Sequence, residues 1–279
     1  MKFISIANAK RQTKLSYLGG VSTSAKIMHS QEFSHQHTYA IYLAPADTSG
    51  YNVCSHSTPE CRMGCLATSG RTAIEIFSGR NIIRNARIKK TRLFVEHQDF
   101  FMAWMIAEIK LKQAKAKREN FYFSVRLNAT SDINWQKVLY HNKTIFEIFP
   151  EITFYDYTKN HNKFNNIVPN YHLTLSYTGR NWNKCLEILA KGHNVAMVFN
   201  VKHEKDLPAM YSQYQVVNGD LTDYRVDDAK GIIVGLKWKR IANRDAEKLV
   251  LNSCFVITPT NVDYVQGTNV QVQNLELVA

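Results

Sequence analysis

Three cysteines fall within twelve residues, Cys54-Ser-His-Ser-Thr-Pro-Glu-Cys61-Arg-Met-Gly-Cys65, in a chain that has only five. Their spacing, C-x6-C-x3-C, lies on a stretch of Pro, Gly and Ser, so the thiols can turn towards one centre. Thiolates are the soft donors that hold zinc and iron–sulfur clusters. Structural zinc sites usually combine two short ligand pairs into four closed donors. Here only Cys61 and Cys65 make such a pair; Cys54 would need a fourth donor from His56, His35, His37 or a distant cysteine. A [4Fe–4S] cluster accepts irregular spacing, and three cysteines leave its fourth iron open to another ligand. The favoured metal ligands are therefore Cys54, Cys61 and Cys65 around a [4Fe–4S] cluster, with zinc as the alternative. Cys185 and Cys254 stand singly among apolar neighbours and read as small buried hydrophobes.

Residues 1–10 lack the sustained apolar run of a signal peptide. No segment approaches the ~18 apolar residues of a membrane span. The expected location is a reducing cytoplasm with no membrane partner, where clustered cysteines bind metal or do chemistry rather than form disulfides. The net charge is +12, and it is unevenly placed. Residues 1–130 hold 19 Lys and Arg against 8 Asp and Glu, while the remainder holds 16 against 15. Positive charge gathered around the cysteines suits a small anionic ligand, a nucleic-acid-derived substrate, or nucleic acid met through basic residues 71–118. A solubilising, host-adapted surface is the more usual reason for a charge run. The cations of Lys110–Arg118 have a structural reason, since they close a helix at its negative end.

Apolar runs rich in Val, Ile, Phe and Tyr recur at Tyr39–Leu43, Phe121–Leu127, Ile152–Tyr157, Tyr171–Tyr177, Asn194–Asn200, Tyr214–Val217 and Gly231–Trp238. Such runs are strands buried on both faces. Helices are expected between them. Gln98–Glu119 repeats Phe101, Met105 and Ile109, with Phe100, Trp104 and Leu111 alongside; Asn181–Lys191 ends at Gly192; Asn243–Leu249 is a third. Strand–helix alternation predicts an α/β fold, with a parallel sheet rolled into a partial or full barrel of six to eight strands. The expected organisation is one barrel-like domain over 1–279, with 1–37 as an N-terminal extension and 44–71 as the cysteine loop.

Sites in such folds lie at the carboxyl ends of the strands. Polar residues recur there: Arg126, Asn128, Asp132, Asp156, Lys159, Ser176 and Lys237 are the candidate cofactor-binding residues. Arg126 and His172 need partners inside apolar strands, and Asp156 on a neighbouring strand is the expected partner of Arg126. Asn128 and Asp132 would equally serve to cap a helix starting near Trp135. Asp220 and Asp223 read first as turn residues. Gly64–Gly70 offers backbone N–H groups to an anion, followed by Arg71 and by Arg80, Arg84 and Arg87 on one helical face.

Two resemblances follow. Cys54–Arg71, Ala86–Thr91, Arg126–Asp132, Phe154–Lys159 and Gly231–Lys237 resemble the gene product 88-type family of phage proteins. That implies a phage origin and the host cytoplasm. A three-cysteine loop after the first barrel strand is also similar to radical S-adenosylmethionine enzymes. That likeness implies a cluster on Cys54, Cys61 and Cys65, with S-adenosylmethionine at the open iron. Their usual spacing is C-x3-C-x2-C, and a Gly-Gly-Glu-like motif is missing here. The expected function is an iron–sulfur enzyme acting on a phosphate-bearing or nucleic-acid-derived substrate. The alternative is a nucleic-acid-binding or host-factor-binding phage protein with a structural zinc or cluster site.

Overall fold

The computed structural model describes residues 1–21, 23–69, 74–75 and 78–259. All seven expected strands form: β2 (Gln36–Ile41), β3 (Tyr122–Arg126), β4 (Thr153–Thr158), β5 (Tyr171–Ser176), β6 (Asn194–Phe199), β8 (Tyr214–Asn218) and β9 (Ile233–Lys237). Every contact between two of these is parallel. Three two-residue strands join them. β1 (Gly19–Gly20) runs antiparallel to β2, β7 (Met210–Tyr211) antiparallel to β8, and β10 (Val256–Ile257) parallel to β6. The result is a mixed α/β fold around a ten-stranded, mostly parallel sheet of order β1-β2-β3-β4-β5-β6-β9-β8-β7, with β10 also on β6. This hydrogen-bonded path does not close, and its sequential order breaks where β9 enters between β6 and β8.

Alternation along each strand gives the sheet two unlike faces. One carries Tyr39, Ile41, Val125, Phe154, Leu173, Leu175, Val195, Met197 and Ile233, all buried. Helix α5 (Gln98–Arg118) lays Phe101, Met105 and Ile109 into the same apolar cluster, as their spacing predicts, whereas Leu111 is exposed. Helix α7 (Trp182–Ala190) adds Cys185, Ile188 and Leu189 further along. Its end is the expected one: Gly192 follows with φ +80°, the left-handed region open to glycine. Fully burying each such large side chain contributes roughly 1.5–3 kcal/mol before chain entropy is counted.

Residues 1–34 hold more structure than the sequence predicts. They form α1 (Ile6–Thr13), β1 and α2 (Ala25–Ser34). Glu108 of α5 ties this segment down, accepting from the backbone N–H of Leu18 and Gly19 and from the Tyr39 hydroxyl at 2.7 Å. The expected helix near Trp135 is only a 3₁₀ turn, Trp135–Lys137, and the short α6 (Ile145–Ile148) follows it. Asn128 and Asp132 make different contacts, described below.

Candidate functional site

Because the seven long strands are parallel, their carboxyl ends share one edge, and the cysteine loop lies there. Local chemistry shapes the loop. Asn52 accepts from the Cys54 N–H, Ser57 donates to the Cys54 carbonyl, and the Thr58 hydroxyl caps α3 (Pro59–Met63) by accepting from the Cys61 N–H. Proline at the first helical position fits that start. Cys61 lies within this turn, and Cys65 follows just past its end, on extended backbone. Several outside contacts dock the loop, among them Arg92 Nε to the Ser49 carbonyl at 3.0 Å. The Asp132 N–H donates to the Val53 carbonyl at 2.8 Å, and Arg180 pairs with Glu60 at 2.7 Å. Trp238 completes the seat: a Cβ added at Gly64 would lie 3.0 Å from its ring, and α3 packs against α8 (Arg244–Leu251).

The three thiols feel one another electrostatically, and no disulfide joins them. Burial raises the Cys54 thiol and pushes Cys65 up to about 11, against the backbone N–H groups of Ala46 and Ala67. Lys159, just past the end of β4, lies within electrostatic range of Cys61 and Cys65. Arg87, on α4 (Ile82–Glu96), lies within electrostatic range of Cys65 with its guanidinium 5.4 Å from the Tyr42 ring centre. Its Nε and Nη1 are buried without an acceptor among the described residues. Buried, acceptorless donors beside thiols suit a negatively charged group, and three cysteines form a soft donor set for iron. Among the described residues, no three His, Cys, Asp or Glu side chains already converge on a metal position. The donor types therefore fit such a group, although its ligand shell is not preassembled.

The potential fourth donors lie elsewhere. His56 is exposed and contacts Ser55. His35 and His37 both stack on Phe121 at 4.1 Å, at the amino end of β2, about 20 Å of strand away from the loop. Cys185 is buried as expected, whereas Cys254 is exposed. Gly70 and Arg71 fall outside the described residues. Arg80 precedes α4 rather than sharing its face; Arg84 is exposed. Within the 71–118 basic stretch, Lys90 turns inward and donates to the Leu18 carbonyl at 2.7 Å.

The second face of the sheet is polar over β2–β5, and apolar further along at Ala196, Val234 and Leu236. Strand register places Thr38 beside Ser124, Ala40 beside Arg126, and Tyr157 beside Thr174 on this face. Arg126 binds Asp223 at 2.6 Å, and Tyr155 donates to the other oxygen of Asp223 at 2.9 Å. Asp156 is thus not the partner of Arg126. Val125 pairs with Phe154, so Asp156 points with Phe154 to the apolar face, opposite Arg126. There it accepts from the Asn128 N–H at 2.7 Å and the Tyr171 hydroxyl at 2.9 Å, and burial pushes it up to about 7. Asn128 in turn accepts from Ser131, the Ile133 N–H and Trp135. Asp132 accepts from Thr158 and the Lys159 N–H and pairs with buried Lys163 at 2.5 Å. Asn128, Asp132 and Asp156 therefore hold neighbouring strand ends together.

Helix α2 and the segment 219–228 cover the polar face. Ser30 accepts from the Asp223 and Tyr224 N–H groups, while Lys26 and Lys239 approach Asp220 at 3.5 and 3.0 Å. Gly219 permits this closeness, because a Cβ there would lie 2.3 Å from Val234 Cγ1. Burial lowers Lys26 to about 8 despite Asp223 and Asp220. Ser176 is half-buried on the same face, while Lys237 gives Asp220 only its backbone N–H, at 2.7 Å. Sequence reasoning missed Lys26, Tyr157 and Arg225 as site residues, and it assigned Asp220 and Asp223 first to turns. The usable signal was Arg126 itself, a cation within a strand that required a carboxylate.

The gene product 88 family matches residues 5–252. The chain belongs to the gene product 88 family. The match spans the cysteine loop, the polar face and all the long strands of this phage gene product. No curated protein sequence and no solved structure matches the chain. The likeness to radical S-adenosylmethionine enzymes gains no support from these comparisons. No helix among the described residues is long and apolar enough to cross a membrane.

Proposed function

We propose that this gene product 88 protein is an iron–sulfur protein in which Cys54, Cys61 and Cys65 hold a [4Fe–4S] cluster, and that it is an enzyme of the host cytoplasm. Its substrate is phosphate-bearing or nucleic-acid-derived. The observation that carries this reading is the pair of cations at the thiols: Lys159 within electrostatic range of Cys61, and Arg87 near Cys65 with two buried N–H groups that lack acceptors among the described residues. Cations beside thiols favour the thiolate form that metal binding requires. When bound, a cluster supplies electron transfer, or Lewis-acid chemistry at an iron without a cysteine. S-adenosylmethionine is the cofactor this reading would add at that iron. The protein's own contribution is to anchor the loop through Thr58, Val53 and Trp238, and to offset its negative charge with Lys159 and Arg87.

Single Cys→Ala variants at 54, 61 and 65, prepared without oxygen, test the proposal. Each should lose most of its iron and visible absorbance while keeping wild-type far-UV circular dichroism. Full iron retention in all three would refute the ligand assignment. One zinc per chain, no sulfide and global unfolding of Cys61→Ala would instead support the nucleic-acid or host-factor binder with a structural zinc site. That second reading draws on exposed cations of α4 and α5, including Arg84, Lys89, Arg92 and Lys115.

A further inference from the structure

Beneath the cysteine edge, the polar face contains donors that the protein leaves without acceptors. The Nε of Arg126, the hydroxyl of Tyr157 and the Nε of Arg225 are each buried and have no hydrogen-bond partner among the described residues. They belong to one neighbourhood. The Arg126 guanidinium lies 5.0 Å from the Tyr157 ring centre, and Tyr157 feels the charges of Arg225, Asp223, Arg126 and Asp228. The remaining contacts of both arginines fix their orientation. Arg126 is held by Asp223 at 2.6 Å; Arg225 is held by Asp228 at 3.2 Å and by Thr222. Buried donors in native proteins are nearly always satisfied, and each orphan costs the desolvation of its group. Three of them on two arginines and a tyrosine call for acceptor oxygens carrying negative charge.

We propose that Arg126, Tyr157 and Arg225 form a seat for the oxyanion end, phosphate or carboxylate, of a small-molecule ligand held between the polar face of the sheet and segment 219–228. The seat uses none of the cysteines. It rests on the proposed function only in making that ligand the substrate, so anion binding and metal content fail separately.

Calorimetric titration of the full chain with inorganic phosphate and with malonate, each against sodium chloride at matched ionic strength, tests this directly. Saturable binding of either anion is expected; a response to phosphate alone assigns a phosphate-bearing ligand, and to malonate alone a carboxylate. Tyr157→Phe should weaken binding about tenfold, the loss of one charge-assisted hydrogen bond. It should leave the ligand-free melting temperature unchanged or raised, because the hydroxyl it removes has no partner in the protein. Arg225→Lys, which keeps the charge facing Asp228 and removes the Nε–H, should weaken binding similarly. No binding of either anion, or unchanged affinity in both variants, would overturn the seat. A clear loss of melting temperature in ligand-free Tyr157→Phe would do the same, by showing that the hydroxyl is already bonded within the protein.

Discussion

The two faces of the parallel sheet are built from opposite materials, although the same strands make both. The face under α5 and α7 is apolar, and its buried carboxylates are bonded: Glu108 to Leu18, Gly19 and Tyr39, and Asp156 to Asn128 and Tyr171. The face under α2 and 219–228 gathers Lys26, Arg126, Asp220, Asp223 and Arg225, and leaves donors of Arg126, Tyr157 and Arg225 unbonded. A closed polar network stabilises, whereas an open one is costly unless something else fills it. The first face therefore holds the fold, and the second is where a ligand would contribute most.

The contrast can be broken at several points. The largest effect is expected from Glu108→Ala, which orphans two backbone N–H groups and the Tyr39 hydroxyl and removes a charge facing buried Lys90. Urea unfolding should show a loss of roughly 3–5 kcal/mol. On the polar face, Gly219→Ala forces a methyl group against Val234 and should cost about 1–3 kcal/mol. That variant should also weaken phosphate or malonate binding, because segment 219–228 can no longer lie close to the sheet. Thr58→Ala removes the cap of α3 and should cost about 1 kcal/mol, seen as earlier loss of cluster absorbance on warming.

A further prediction sharpens the comparison through pH. Lys26 is lowered to about 8 from 10.5, so between those values the unfolded chain binds more protons than the native one. Lys26 should therefore make stability rise with pH across that window, from a penalty present in full below about 8. Lys26→Met should flatten that part of a stability–pH profile measured by urea unfolding. An unchanged profile would place Lys26 in solvent rather than under segment 219–228.

Much of the scaffold was legible in the sequence because buried strands announce themselves as runs of Val, Ile, Phe and Tyr. The Phe101–Met105–Ile109 stripe and Gly192 marked α5 and the end of α7 for equally local reasons. Long-range facts were not legible. Arg126 visibly needed a carboxylate, but its partner lies 97 residues away, and choosing Asp223 over Asp156 requires strand register, which sets the face each side chain takes. Nothing local shows that Arg87 and Lys90 turn inward while Arg84 and Lys89 face solvent. The insertion of β9 between β6 and β8 has no signature in either strand's composition.

The iron, acid-labile sulfide and zinc content of the wild-type chain, purified without oxygen, decides whether the cysteine loop holds a cluster. About four irons and four sulfides per chain are expected, with a broad visible band that dithionite bleaches. One zinc and no sulfide, or no metal at all, would contradict the cluster.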